Sequence, residues 1–280
     1  MQRSNPDAAQ AEDNKKNHNY VTALARGLEL LRCFGDADEY LGNAELAKRT
    51  HIPRPTVSRL TATLMQLGYL VYMPHIERYR LGPRVLDLGY RYLASEGVGT
   101  IARPLMQELA DATDCFIAIG VAEGIQMTYT QTCQGPGPLI LRMSTGSRVP
   151  IAHTSIGRAF LAALTPEQRE PYYALIRAEE PAEWPRIERG LERTFADYER
   201  DGFCITEGEW SREVSGVGVP LVLENGYRVV SFGCSGSALR LTQRVMSENL
   251  GPRLRDMVGQ VRQLVDGADG AANRDLTTRA

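Results

Sequence analysis

The sequence predicts an α+β chain of two domains, and three observations predict it. Three short helical patterns and an apolar hairpin pattern crowd into the first 82 residues. A second, longer stretch mixes strand and helix patterns in the order of an antiparallel sheet with helices packed against it. The length of 280 residues, 43% hydrophobic and 24% charged, is comfortable for two cores and suits a soluble globular protein.

Taken in order, residues 1–19 are polar, lack periodicity and read as a flexible tail. A first helix is predicted over 22–34, with Leu24, Leu28, Leu31 and Cys33 at helical spacing. A second spans 43–49, with Asn43 as its cap and Ala44, Leu46 and Ala47 as core candidates. The third spans 55–67. Proline suits its first turn, Gly68 stops it, and Val57, Leu60, Leu64 and Leu67 form the stripe that should face the other two helices. Strand patterns at 69–72 and 78–81 flank a turn. Three helices followed by a hairpin are the plan of a winged helix-turn-helix, here 20–82. Residues 83–98 read as a linker helix.

The second domain is expected over 99–265, with a polar tail at 266–280. Helices are predicted at 102–112, 154–164, 166–177, 186–201 and 242–265. Strands are predicted at 115–121, 125–132, 138–144, 213–223 and 227–234, the last two joined through Asn225-Gly226, a strong hairpin signal.

Composition excludes several classes. No apolar run approaches the roughly 18 residues of a membrane helix, and the polar N-terminus carries no secretory pattern, so a cytoplasmic protein without a membrane partner is expected. The five cysteines are scattered and the four histidines dispersed, with no CxxC, so neither a disulfide framework, a metal nor another cofactor is expected. A net charge of −2 does not by itself point to nucleic acid; the placement of the basic residues does.

The stripe of the third helix leaves a face that begins with Arg54 and Thr56, continues with Ser58 and Arg59, and ends with Thr63. Such side chains, presented from the first turns of a recognition helix, reach base edges and phosphates. Arg78 and Arg80 on the hairpin are placed for phosphate or minor-groove contact, and Arg26 on the first helix for the backbone. These eight residues predict a partner in double-stranded DNA. The rival reading is an interaction scaffold whose winged helix docks a protein. A catalytic reading is weaker. His153 and Ser155 are two residues apart and do not make a nucleophile–base pair, and Gly233-Cys234-Ser235-Gly236 lacks the full nucleophile elbow, so no enzyme is expected.

The residues also resemble a known family. Ala25-Arg26-Gly27-Leu28 with Leu30-Leu31, Glu45-Leu46-Ala47, Ile52-Pro53 with Thr56-Val57-Ser58-Arg59-Leu60, Leu67-Gly68-Tyr69-Leu70 and Tyr79-Arg80-Leu81-Gly82 are similar to the N-terminal half of the IclR family of bacterial regulators. Gly146-Ser147-Arg148-Val149-Pro150, His153-Thr154-Ser155-Ile156-Gly157-Arg158-Ala159, Gly202-Phe203, Val219-Pro220-Leu221 and Cys234-Ser235-Gly236 resemble its C-terminal half in the same order. The resemblance implies a GAF-like effector-binding domain, a homodimer or dimer of dimers, and control of catabolic or transport genes by a metabolite. Thr206-Glu207 stands where the family often has an acidic pair, and Gly216 where it often has a cysteine, so a relative's ligand does not carry over. By position, Leu141, Ser155, Ile156, Thr206, Val214, Gly216, Gly233 and Ser235 should line the pocket. A helix opening at Thr154 or Ser155 favours a carboxylate. Met143 and Trp210 would suit the apolar body of an aromatic or branched acid.

Overall fold

The computed structural model describes residues 19–35, 38–137, 143–223 and 228–277. The chain divides into two compact units, Met1–Ser95 and Glu96–Ala280.

The first unit contains α1 (Thr22–Arg32), α2 (Asn43–Thr50), α3 (Arg54–Gln66), the antiparallel hairpin β1 (Leu70–Met73) and β2 (Arg78–Leu81), and α4 (Arg84–Glu96). Its core gathers Leu30, Leu41, Leu46, Ile52, Val57, Leu64, Leu70 and Tyr79. Backbone bonds in both directions between Leu41 and Tyr79 tie the segment before α2 to the wing.

Two of the expected stripes sit differently. On α1 the core takes Gly27 and Leu30, whereas Leu24 and Leu28 are 64% and 53% exposed. This helix is apolar on more than one side, so spacing alone does not choose the inward one. On α3, Val57 and Leu64 are buried, but Leu67 is 55% exposed and Thr61 is fully buried instead. A buried hydroxyl is tolerable there because the single Thr61 proton has the Ser58 carbonyl at 3.1 Å and Asn43 Oδ1 at 3.4 Å as acceptors. Asn43 is therefore no cap. Gly42 occupies that position, with its N–H donated to Glu45 Oε2 at 2.7 Å, and the Asn43 amide instead reaches Ser58 Oγ at 3.3 Å.

The second unit runs α5 (Val98–Thr113), β3 (Phe116–Glu123), β4 (Gln126–Gln134), β5 (Arg148–Pro150), α6 (Ser155–Ala162), α7 (Pro166–Glu179), α8 (Trp184–Asp201), β6 (Cys204–Glu207), β7 (Val214–Leu223), β8 (Arg228–Ser237), α9 (Gln243–Val245), a π-turn Met246–Leu250 and α10 (Gly251–Thr277). The six strands form one antiparallel sheet in the order β5-β4-β3-β8-β7-β6. Side-chain alternation sends Ile117, Ile119, Val219 and Phe232 to the face covered by α5 and α10, and Phe116, Ala118, Met127 and Tyr129 to the face covered by α6 and α8. All five cysteines are free.

Strands β7 and β8 pair from Val214↔Ser237 to Leu223↔Arg228; the Asn225-Gly226 turn lies outside the described residues. Most of the strand expected at 138–144 also lies outside them, and Met143 and Ser144 are not strand. Strands β5 and β6, three and four residues long, are too short to show a period and were not expected. Helix α10 continues through 266–277, which the sequence alone reads as tail.

Helix α6 lies in direct backbone contact with the sheet. A methyl group at Gly218 on β7 would overlap the Ser155 carbonyl oxygen, and one at Gly157 would overlap the Ile151 carbonyl oxygen. Gly218→Ala is expected to lower unfolding stability in urea by about 1–3 kcal/mol, because the backbone cannot give way as a flexible side chain would. An unchanged urea midpoint would show that α6 can lift from the sheet freely.

Candidate functional site

In the first unit, α3 divides cleanly between inside and outside. Arg54, Ser58, Arg59 and Thr63 are exposed along one side, together with Ala62 and Gln66, while Val57, Thr61 and Leu64 face inward. Thr56 is half-buried, on the side turned toward α1. Ser58 accepts the Asn43 amide, and Thr63 donates to the Arg59 carbonyl at 3.1 Å, so both hydroxyls are held in place with acceptor capacity left over. Arg54, Arg59 and Arg80 are exposed and in no ion pair among the described residues. Arg26 is half-buried on α1.

Arg78 is held otherwise than its position in the wing implies. Its guanidinium meets Glu45 at 2.8 and 2.9 Å and donates to the Tyr40 carbonyl at 3.0 Å. Its charge is thus matched within the protein, and it fastens the wing to α2. Beside this face, α1, α3 and Leu88 of α4 border an apolar groove of about 600 Å³, lined by Leu24, Leu28, Leu31, Leu60 and Leu67, with Thr56, Arg59 and Thr63 at its edge.

The second unit has a cleft at the N-terminus of α6, where β6, β7 and β8 end. Thr154 caps the helix, its hydroxyl accepting the Gly157 N–H at 3.4 Å and donating to the Pro150 carbonyl at 2.7 Å. The cleft is lined by Tyr129, His153, Thr154, Ser155, Ile156, Thr206, Trp210, Val214, Ser215, Gly216 and Ser235. Strand register explains the gathering: Gly216 pairs with Thr206 on one side and Ser235 on the other, so these three stand in one row across the sheet. A methyl at Gly216 would come within 2.8 Å of Ser235 Oγ and 3.0 Å of Ser155 Oγ, so the two hydroxyls converge over that glycine.

Of the residues expected here, Ser155, Ile156, Thr206, Val214, Gly216 and Ser235 are brought together. Gly233 is not on the lining; a Cβ there would meet Ile156 Cβ at 3.0 Å, so this glycine lets the helix approach rather than leaving room in the cleft. Leu141 lies outside the described residues. Met143 packs against the α6 side of the core instead. Tyr129 and Ser215 were not anticipated. Tyr129 reaches the cleft from β4, two strands away from β8 in the sheet, and no local pattern carries that information. Burial pushes its phenol well above the usual tyrosine range, so it stays a neutral donor and acceptor. His153 Nε2 is 3.0 Å from both Glu180 oxygens, which fixes the ring at the rim. The cavity volume is only about 20 Å³, room for roughly one water molecule.

Among the described residues, no group of three His, Cys, Asp or Glu side chains could hold a metal ion, and no helix is long and apolar enough to cross a membrane.

A helix-turn-helix head with free arginines on its outward helix, joined to a sheet domain holding a small polar cleft, defines a DNA-binding regulator that responds to a ligand. Residues 23–74 match the IclR helix-turn-helix domain, and residues 90–263 match the C-terminal domain of the bacterial transcriptional regulator IclR. The chain is 31% identical to the HTH-type transcriptional regulator TsaQ1/TsaQ2 of Comamonas testosteroni, a match covering 86% of this chain and 87% of that one. It is 42% identical to an IclR family transcriptional regulator from Brucella abortus whose crystal structure superposes with a TM-score of 0.79, covering 89% and 94% of the two chains. An IclR homologue from Microbacterium hydrocarbonoxydans, crystallised with 4-hydroxybenzoate, shares the fold at 18% identity with a TM-score of 0.71, covering 86% and 98%. The chain belongs to the IclR family of bacterial transcriptional regulators, and it is a regulator rather than an enzyme.

One prediction concerns the wing. The Gly42 N–H, then Arg78, hold the Glu45 carboxyl below the usual glutamate range. A depressed carboxylate stabilises the fold above its unfolded pKa, near 4.3, and that contribution disappears as pH falls through the lower folded value. Acidification below about pH 4.3 should therefore loosen the wing, and Glu45→Gln should flatten this acid dependence; thermal melts of both chains between about pH 3 and 7 measure it.

Proposed function

We propose that this chain binds an operator in double-stranded DNA, as a homodimer or a dimer of dimers, and adjusts transcription of catabolic or transport genes in response to a small organic acid of the aromatic class. The reading assigns 20–82 to DNA, 83–98 to a linker helix and 99–265 to the effector, with polar tails at 1–19 and 266–280, in a cytoplasmic protein. The observation that carries it is the division of α3: its apolar and buried polar groups hold the head together, while Arg54, Ser58, Arg59 and Thr63 face outward. An arginine on such a face can pair two donors with guanine, and hydroxyls can contact bases or phosphates. Arg26, Thr56 and Arg80 are assigned to the same surface, with Arg78 contributing after exchange of its Glu45 partner. The exposed leucines of α1 and the apolar groove beside α3 are the surface a second copy would cover, since lone monomers seldom leave such patches open.

For the effector, the support is chemical. The free N–H groups at the start of α6 and its dipole favour a carboxylate, the Ser155, Ser235 and Thr206 hydroxyls and the neutral Tyr129 phenol supply directed contacts, and Trp210 and Ile156 flank an apolar ring. The 4-hydroxybenzoate in the Microbacterium homologue makes that acid the first probe to test.

Titration of labelled operator DNA is the decisive experiment. Affinity should fall steeply with salt, the end point should be two or four chains per operator, and Arg59→Ala should weaken specific binding by about 1–3 kcal/mol. Binding without a salt slope would favour a protein-docking head, and one chain per operator would remove the dimer. Separately, saturating 4-hydroxybenzoate should raise the melting temperature, with about 2.7 kcal/mol gained at a hundred times Kd. Gly216→Val, which fills the space between Ser155 and Ser235, should abolish that shift. A flat response to a broad panel of aromatic acids would remove the proposed effector class.

A further inference from the structure

A buried and multiply bonded charge lies just behind the cleft. Arg158 on α6 is 2% exposed. Its Nε donates to the Ala152 carbonyl at 2.8 Å, one terminal nitrogen donates to Thr194 Oγ1 at 3.1 Å and to Glu209 Oε1 at 2.9 Å, and the other contacts Glu209 Oε2. Thr194 is itself anchored, donating to the Gly190 carbonyl at 2.8 Å. One guanidinium therefore ties three segments together. Ala152 immediately precedes His153, and Glu209 immediately precedes Trp210; both of those neighbours line the cleft. Glu209 and Trp210 belong to the 208–213 connection between β6 and β7, which is closed at its base by the Gly208 N–H to the Val214 carbonyl at 3.1 Å and turned by the Val214 N–H to the Ser211 carbonyl at 2.9 Å.

The cleft offers only about 20 Å³, too little for an organic acid to seat fully. A ligand must gain volume by displacing part of the wall. The sheet strands and α6 cannot supply it, because they touch backbone to backbone at Gly218. The 208–213 loop can, being a short surface connection whose Trp210 ring is 37% exposed. What holds that loop down is a bidentate pair to a buried cation, and separating one partner of such a pair leaves an uncompensated buried charge.

We propose that Arg158 and Glu209 are positioning residues that latch the Trp210 loop over the effector cleft, so that ligand access and affinity are governed by this ion pair. The inference rests on the effector reading of the cleft, but the latch is measurable without any ligand.

The experiment uses the full chain and the variants Arg158→Met and Glu209→Gln. Methionine removes the buried charge rather than stranding it, and the freed Glu209, already a third exposed, turns to water. Glutamine keeps the shape and weakens the pair. Acrylamide quenching of Trp210, taken as the difference from a Trp210→Phe chain, should rise at least twofold in Arg158→Met and by a smaller factor in Glu209→Gln. The second tryptophan, Trp184, is 7% exposed and should remain as protected as before. That contrast separates a latch from a general loosening of the fold. With 4-hydroxybenzoate as probe, the association rate should rise at least threefold in Arg158→Met. Unchanged Trp210 quenching in both variants overturns the proposal. So does equal deprotection of Trp184, or failure of both variants to fold, since either makes the pair a prop of the core. Should no chain bind the acid while Trp210 is deprotected, the latch stands and the ligand assignment falls.

Discussion

Helix α6 approaches the sheet backbone to backbone at Gly218, and the cleft exists because of that contact. Gly218 and Gly157 allow carbonyl groups to come where a methyl would stand. The consequence is positional. Ser155, at the first turn of the helix, is brought within reach of Ser235 and of Thr206 on strands that lie far from it in sequence. Lift the helix by the width of one methyl group and the hydroxyls no longer converge. Close backbone approach thus converts three ordinary polar residues into one site, and it also explains why the cavity is so small.

The head solves a different problem with one helix. Helix α3 must hold a small core and still leave a polar surface outside. Val57 and Leu64 do the first, and Thr61 does it with a hydroxyl that is satisfied locally by Ser58 and Asn43. Asn43 is the joint of this arrangement. Its amide spans α2 to α3 and lies 3.5 Å from the Tyr79 hydroxyl of the wing, so α2, α3 and the wing are registered against each other by side-chain bonds as well as by apolar contact. The overall charge of −2 is no obstacle to binding a polyanion, because acidic residues of the head are used against its own cations: Asp38 on Arg49, Glu45 on Arg78. Arg54, Arg59 and Arg80 are left outward-facing.

On the latch proposal, the cleft combines a fixed floor, where α6 touches the sheet, with a movable wall in the short loop carrying Trp210. That combination is what a sensor requires. A ligand can shift an equilibrium only by the difference in its affinity for two states, and a cleft whose volume differs between states supplies such a difference. On that proposal, a cleft of about 20 Å³ and the same cleft with its loop displaced would differ in affinity for an organic acid.

Much of this was legible in the chain itself. The order of helices and hairpin in the head, the outward face of α3, the long strands β7 and β8 and the capped start of α6 follow from apolar period, turn chemistry and capping preference, all of which act over a few residues. What those rules left open was decided by contacts between distant segments. Which side of α1 turns inward, the burial of Thr61 in place of Leu67, and the diversion of Asn43 from cap to crosslink depend on what the other helices offer. Tyr129 enters the cleft through strand order, Gly233 leaves its lining because Ile156 takes the space, and Arg78 and Arg158 are claimed by carboxylates 33 and 51 residues away. The sequence determined the elements and the faces they can present, because those depend on local geometry; only the tertiary structure decided which face meets which, because that depends on the best joint burial of all of them at once.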